Sequence, residues 1–124
     1  MSKYHSKKIT LNGITYDSKK EAKRHQELLL LERAGAIQSL QTQVKYVLIP
    51  AQREPDKVGK RGGTIKGKLI ERECAYIADY TYTDLDGKIH VEDVKGYKSG
   101  SAYAIFTIKR KLMLYIHGIR IREI

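Results

Sequence analysis

Apolar and polar positions alternate most clearly between residues 77 and 96, which read Ile-Ala-Asp-Tyr-Thr-Tyr-Thr-Asp-Leu-Asp-Gly-Lys-Ile-His-Val-Glu-Asp-Val-Lys-Gly. This pattern predicts two strands joined by a turn, with Asp84, Asp86 and Gly87 supplying the turn chemistry. Side chains on a strand alternate faces, so Ala75, Ile77 and Asp79 are expected to share one face of the first strand. On the second, Ile89, Val91, Asp93 and Lys95 share a face, while His90, Glu92 and Val94 take the other. Pairing about the turn brings Asp79 level with Asp93 and Lys95.

The other elements follow from the same patterning. Residues 9–16 predict a small hairpin around Asn12-Gly13. Ser18 with Glu21 three residues on is a capping box, and it predicts a helix from Lys19 to Ala34 closed by Gly35, with Leu28 to Leu31 forming a broad apolar face. Residues 43–49 read as a strand stopped by Pro50. Residues 50–68 have no periodicity and predict a long mobile loop, either a basic arm or a solvated insertion. Its Gly62-Gly63-Thr64 lacks the spacing of a P-loop. Strands are expected over 69–83 and 88–95, and a turn with Lys98 over 96–100. Ser101 is the expected cap of a helix from Ala102 to His117, closed by Gly118, with Ile105, Ile108, Leu112 and Tyr115 as its core stripe. A last strand spans 119–123. Helix, three strands, helix, strand after a hairpin predicts an α/β fold, a mixed sheet flanked by helices.

Length and composition narrow the class. A chain of 124 residues makes one domain, 1–124, and 41% hydrophobic residues is enough for a core. The net charge of +10 suggests a polyanionic partner, nucleic acid first, against the plainer reading of a solubilising surface. Cys74 is alone and is expected to be buried on a strand; the four histidines offer no zinc spacing. With no signal peptide and no long apolar run, a soluble, cytoplasmic protein without a membrane partner is expected.

The acids carry the candidate chemistry. Mg²⁺ is held by one or two carboxylates plus substrate phosphate oxygens, and a neighbouring lysine positions water or stabilises developing charge. The plainer alternative for Asp93 and Lys95 is a structural ion pair, which leaves Asp79 unexplained. Glu92 points to the opposite face and reads as structural; a bulge would exchange it with Asp93. Glu21 is explained by its capping position alone, and a metal-shell role is the competing reading. His25, one turn on, is expected to pair with it. Gln43 starts a core strand near the site, and Lys109 borders the helix stripe, either reaching a phosphate or lying along apolar surface. Glu73 shares a face with Asp79, but six residues at ~3.3 Å each separate them too far for one metal.

An acid on one strand followed by acid-x-lysine on the next, here Asp79 and Asp93-Val94-Lys95, resembles the PD-(D/E)XK nuclease superfamily. The usual proline before the first acid is replaced by Ala78. The element order resembles that superfamily's restriction-endonuclease-like αβββαβ core. Glu21 resembles the helix acid seen in archaeal Holliday junction resolvases and transposase endonuclease subunits. The Tyr-Asp-Ser-Lys-Lys-Glu opening and Glu-Asp-Val-Lys-Gly are similar to a small phage-encoded family of presumed endonucleases. The resemblance implies phosphodiester hydrolysis dependent on Mg²⁺ or Mn²⁺. Asp79 and Asp93 would be ligands with the Val94 carbonyl, Glu21 would complete the site, and Lys95 would be the catalytic lysine. Lys7, Lys8, Lys19, Lys20, Lys23, Lys57, Lys60, Arg61, Lys66, Lys68, Lys98 and Lys109 would contact DNA. With no separate reading module, shape recognition of branched or junction DNA in phage recombination is expected, by a homodimer. The rivals are a non-catalytic nucleic-acid-binding protein of this fold and a ribonuclease.

Overall fold

The computed structural model describes residues 8–96 and 98–124; Lys7, a predicted DNA contact, lies outside them. The chain opens with β1 (Ile9–Leu11) and β2 (Ile14–Tyr16), paired antiparallel. Asn12 and Gly13 have φ of 52° and 80°, the left-handed values that a two-residue primed turn requires. Helix α1 (Lys19–Arg33) begins where Ser18 Oγ accepts the Glu21 N–H at 3.1 Å and ends before Gly35, at φ 81°. Of its leucine run only Leu28 is fully buried; Leu30 and Leu31 are exposed. The apolar face expected there is therefore narrower than four consecutive leucines suggest, because consecutive residues on a helix point about 100° apart.

Strand β3 (Ile37–Ile49) starts six residues before its predicted onset and stops at Pro50 as expected. Ser39 and Gln43, at φ 57° and 53°, break its alternation, which hid its first half from a periodicity search. The mobile loop expected over 50–68 is instead a β-ribbon: β4 (Gln52–Arg53), β5 (Lys57–Val58), β6 (Thr64–Ile65) and β7 (Leu69–Glu71), with β4 pairing β7 and β5 pairing β6. Three bonds tie it across: Glu54 N–H to Lys68 O at 2.8 Å, Gly67 N–H to Asp56 Oδ1 at 2.9 Å and Arg53 Nη1 to Gly67 O at 3.1 Å. Strands of two or three residues are too short to show a period of two.

Strand β8 (Cys74–Asp84) is the centre of the sheet, so the strand expected over 69–83 is divided at Arg72 and Glu73. Cys74, expected buried, is half-buried at its start. β9 (Ile89–Asp93) follows the predicted turn, in which Asp84 Oδ1 accepts the N–H groups of Asp86 and Lys88 and Gly87 takes φ 81°. Helix α2 (Gly100–His117) is capped at Ser99, not Ser101, and closed by Gly118 at φ 67°. β10 (Arg122–Glu123) adds parallel to β9, giving a mixed four-stranded sheet in the order β10-β9-β8-β3. The main elements run α1, β3, β8, β9, α2, β10, an α/β architecture.

Two buried clusters hold the layers. Leu28 of α1 packs with Ile37, Tyr80 and Tyr82; Phe106 and Met113 of α2 pack with Leu48, Tyr76, Ala78, Val91 and Ile121. The core face of α2 is thus not the predicted stripe: Ile105, Ile108 and Tyr115 are exposed, and only Leu112 of that set packs inward. α2 carries two apolar stripes, and period alone does not say which one the sheet takes. Ala78 and Tyr80, which a regular strand would place on one face, bury in different clusters. Asp79, between them, lies where the facing of β8 changes.

Candidate active site

The ladder between β8 and β9 ends at the Tyr80–Glu92 pair. Just beyond it, where β9 ends beside the continuing β8, the N–H of Val94 donates to Asp79 Oδ2 at 2.8 Å. Gln43 Nε2 donates to Asp79 Oδ1 at 3.4 Å, from the left-handed kink of β3. Asp93, nearly buried at the end of β9, has Lys95 Nζ 2.8 Å from its Oδ1 and accepts the Tyr76 hydroxyl at 2.7 Å on its Oδ2. Lys95 Nζ also stands 3.5 Å from the centroid of the Phe106 ring, a cation–π contact that orients it. Its backbone is fixed twice, by Lys95 N–H to Ile124 O at 3.2 Å and by Lys20 Nζ donating to Lys95 O at 2.7 Å. Asp79, Asp93 and Lys95 therefore meet where β9 ends alongside the middle of β8. The expected apolar surround of Asp79 is absent on one side, since Ile77 is exposed.

Glu21 enters from the first turn of α1, whose position is fixed by the Tyr80 hydroxyl donating to Glu21 O at 3.0 Å. Burial, with the negative charges of Asp79, Asp17 and Asp93, pushes the Glu21 carboxyl up to about 7. Burial also holds the Asp79 carboxyl above the usual carboxylate range, against the Val94 N–H bond and with the charge of Asp93 adding to the rise. Crowded carboxylates of this kind lower their energy by binding a cation. Among the described residues no three His, Cys, Asp or Glu side chains converge as a ready metal cage. The donor set is two carboxylates with a third coupled through charge, which fits a hard ion that takes its remaining ligands from water and phosphate.

Glu92, adjacent to Asp93, points away and is fully buried on the α1 face. Arg24 holds it with two bonds, Nε to Oε1 at 2.7 Å and Nη2 to Oε2 at 2.6 Å, and the Tyr82 hydroxyl donates to Oε2. His25 does not pair with Glu21. Its Nδ1 lies 2.6 Å from the Tyr16 hydroxyl and its ring stacks on Tyr80 at 5.3 Å, because burial in the helix–hairpin seam favours a neutral ring with a hydroxyl partner. A cleft of ≈ 170 Å³ lined by Tyr16, Glu21, His25, Thr42 and Gln43 opens beside this seam. Glu73 pairs with Lys45 on the surface. Lys8, Lys19, Lys20, Lys23, Lys98 and the ribbon cations Lys57, Lys60, Arg61, Lys66 and Lys68 are exposed, whereas Lys109 is half-buried on α2.

Sequence reasoning missed Tyr76, Phe106 and Arg24. Parity put Tyr76 on the face opposite Asp93, and only the change of facing at Asp79 brings its hydroxyl there. Arg24, one helical turn after Glu21 on a helix expected to face the sheet, was the one visible partner for Glu92.

Among the described residues no helix is long and apolar enough to cross a membrane. The model of a family described as a protein of unknown function, DUF1064, matches residues 1–120. No curated protein and no solved structure matches the chain.

Proposed function

The chain belongs to the DUF1064 family, and from its acid site we propose that it is a DNA endonuclease dependent on Mg²⁺ or Mn²⁺, built on a restriction-endonuclease-like core. The observation that carries this reading is the meeting of Asp79, Asp93 and Lys95 where β9 ends beside β8, with the carboxyl of Glu21 raised to about 7 by burial and by the charge beside it. A bound divalent ion would acidify a water and neutralise charge on the scissile phosphate. Asp79 and Asp93 are the residues that would hold it, with the Val94 carbonyl and Glu21 beside them. Lys95, oriented by Phe106 and Asp93, would supply positive charge to the phosphate oxygens as negative charge develops. The Val94 N–H, Gln43 and Tyr76 keep the two carboxylates in place without their having to reorganise. The ribbon cations and Lys19, Lys20 and Lys23 would track the backbone. Contacts of that kind read shape rather than sequence, so branched DNA is the favoured substrate, and symmetric cutting of a junction needs two copies of the chain.

One observation favours a rival, a non-catalytic nucleic-acid-binding protein: both oxygens of Asp93 already have protein partners. Incubating the wild type and Asp93→Ala with labelled duplex, single-stranded, flap and four-way junction DNA under Mg²⁺, Mn²⁺ or EDTA separates the two. Cutting by the wild type alone, only with metal, supports the nuclease. Equal binding with no cutting under either metal supports the binding protein, and RNA substrates then test the ribonuclease.

A further inference from the structure

A separate groove lies toward the turn end of β9. It measures ≈ 690 Å³ and runs between the β8–β9 turn and the C-terminal end of α2. Lys88, His90, Arg120 and Arg122 stand along it, over an apolar floor that includes Ile89 and Leu114, and no acidic side chain lines it. His90 is bonded to Asp84 at 2.8 Å. Arg122 approaches Glu92 only at 4.0 Å, and Glu92 is already held by Arg24. Lys88 and Arg120 have no salt-bridge partner among the described residues. Cations gathered in one concavity without carboxylates focus a positive potential, and a polyanion relieves their mutual repulsion.

We propose that this groove is a second nucleic-acid site, binding the phosphate backbone of the same molecule that the acid site at Asp79 and Asp93 would take. The net charge of +10 and the exposed cations of the β-ribbon favour a nucleic acid over an acidic peptide, and one such molecule can reach both sites. From Ile89 to Asp93 is four strand steps, about 13 Å at ~3.3 Å each. From Leu114 to Phe106, which underlies Lys95, is eight helical steps, about 12 Å at ~1.5 Å each. The groove and the acid cluster thus lie at two ends of one helix-on-sheet layer, about four base steps apart at ~3.4 Å per step. The exposed aliphatic floor suits sugar and base faces, and the cations on its walls suit phosphates. The proposal rests on the nucleic-acid part of the reading above and not on cleavage.

The test measures binding of the full chain to fluorescent single-stranded and duplex DNA in EDTA, across a range of salt. It compares wild type, K88A/R120A and the charge-matched R33A/K45A, each checked for an unchanged thermal melt. The expected result is a loss of roughly tenfold or more for K88A/R120A, with a salt dependence shallower by about 1.4 to 1.8 in log–log slope, the share of two phosphate contacts. R33A/K45A should lose less than about threefold. Equal losses in the two double variants, or none in K88A/R120A, would overturn the site. So would K88A/R120A that keeps DNA binding but loses binding of poly-glutamate, which would assign the groove to an acidic protein. A wild type that binds DNA through the groove and never cuts it leaves this site standing and removes only the nuclease.

Discussion

The backbone N–H of Val94 donates to Asp79 Oδ2 at 2.8 Å and joins β9 to β8 one step past the end of their ladder. The same carboxylate that is proposed as a metal ligand thus also fastens the end of β9 to β8. Asp79→Asn keeps an oxygen for that N–H but removes the charge. It should leave the melting temperature within a few degrees of wild type, lower the proposed cleavage by about 10- to 100-fold, and bring the Glu21 carboxyl down from about 7. Carbon-detected NMR titration reads the last of these.

Glu21 sets a pH dependence whose sign is fixed. Its folded pKa, about 7, lies above the ordinary 4.5. The folded state therefore holds more protons than the unfolded state between those values, and stability falls as pH rises through that window. In EDTA, the melting temperature of wild type relative to Glu21→Gln should decline from pH 4.5 to pH 7 and level off above. A flat difference across the window would show that neither burial nor the surrounding charge raises Glu21.

The Arg24–Glu92 pair is buried on its acid side, with Glu92 wholly enclosed and Arg24 partly exposed. Arg24→Met leaves a buried carboxylate without its main partner and should cost about 3–5 kcal/mol in urea unfolding. The double variant Arg24→Met with Glu92→Leu should recover most of that loss, since the desolvated charge goes with it.

Phe106 and Ile108 sit two residues apart on α2, one buried and one exposed. Phe106→Ala should destabilise by about 3–5 kcal/mol and release Lys95 from the ring that orients it. Ile108→Ala should change stability by less than about 0.5 kcal/mol. Equal costs in chemical denaturation would mean that the helix is turned the other way.

Gly67 has no room for a side chain: a Cβ there would stand 1.7 Å from the backbone oxygen of Glu54. Gly67→Ala should pull the two sides of the β-ribbon apart. Limited proteolysis should then cut within residues 52–71 while the core melts near the wild-type temperature, and DNA affinity should fall as the ribbon cations lose their fixed spacing.

Strong local chemistry was legible in the sequence. Asn12-Gly13, the Ser18–Glu21 cap, the Asp84–Gly87 turn and the closing Gly118 each determine a backbone conformation over two to four residues, and each stands where the residues predict. Asp79, Asp93 and Lys95 meet as strand parity about the turn required. Errors arose where a choice depends on contacts distant in sequence. The two apolar stripes of α2 are equivalent until the sheet selects one. The ribbon is built from strands too short to show a period and is held by a glycine contact that no pattern announces. Tyr76 reached Asp93 because β8 changes facing at Asp79, beside the left-handed Gln43, and neither residue type announces a kink.

Glu92 and Asp93 are neighbours that face opposite layers, one enclosed with Arg24 and the other open to the acid cluster. A slide of β9 by a single residue would exchange them, stranding Arg24 and drawing the wrong carboxylate toward Lys95. The guanidinium therefore acts as an index mark for the whole strand. Lengthening or shortening the exposed turn at Leu85–Lys88 leaves that mark untouched, whereas one residue inserted between His90 and Asp93 defeats it. The acids are aligned by a contact on the far side of the sheet, fixed before any substrate arrives.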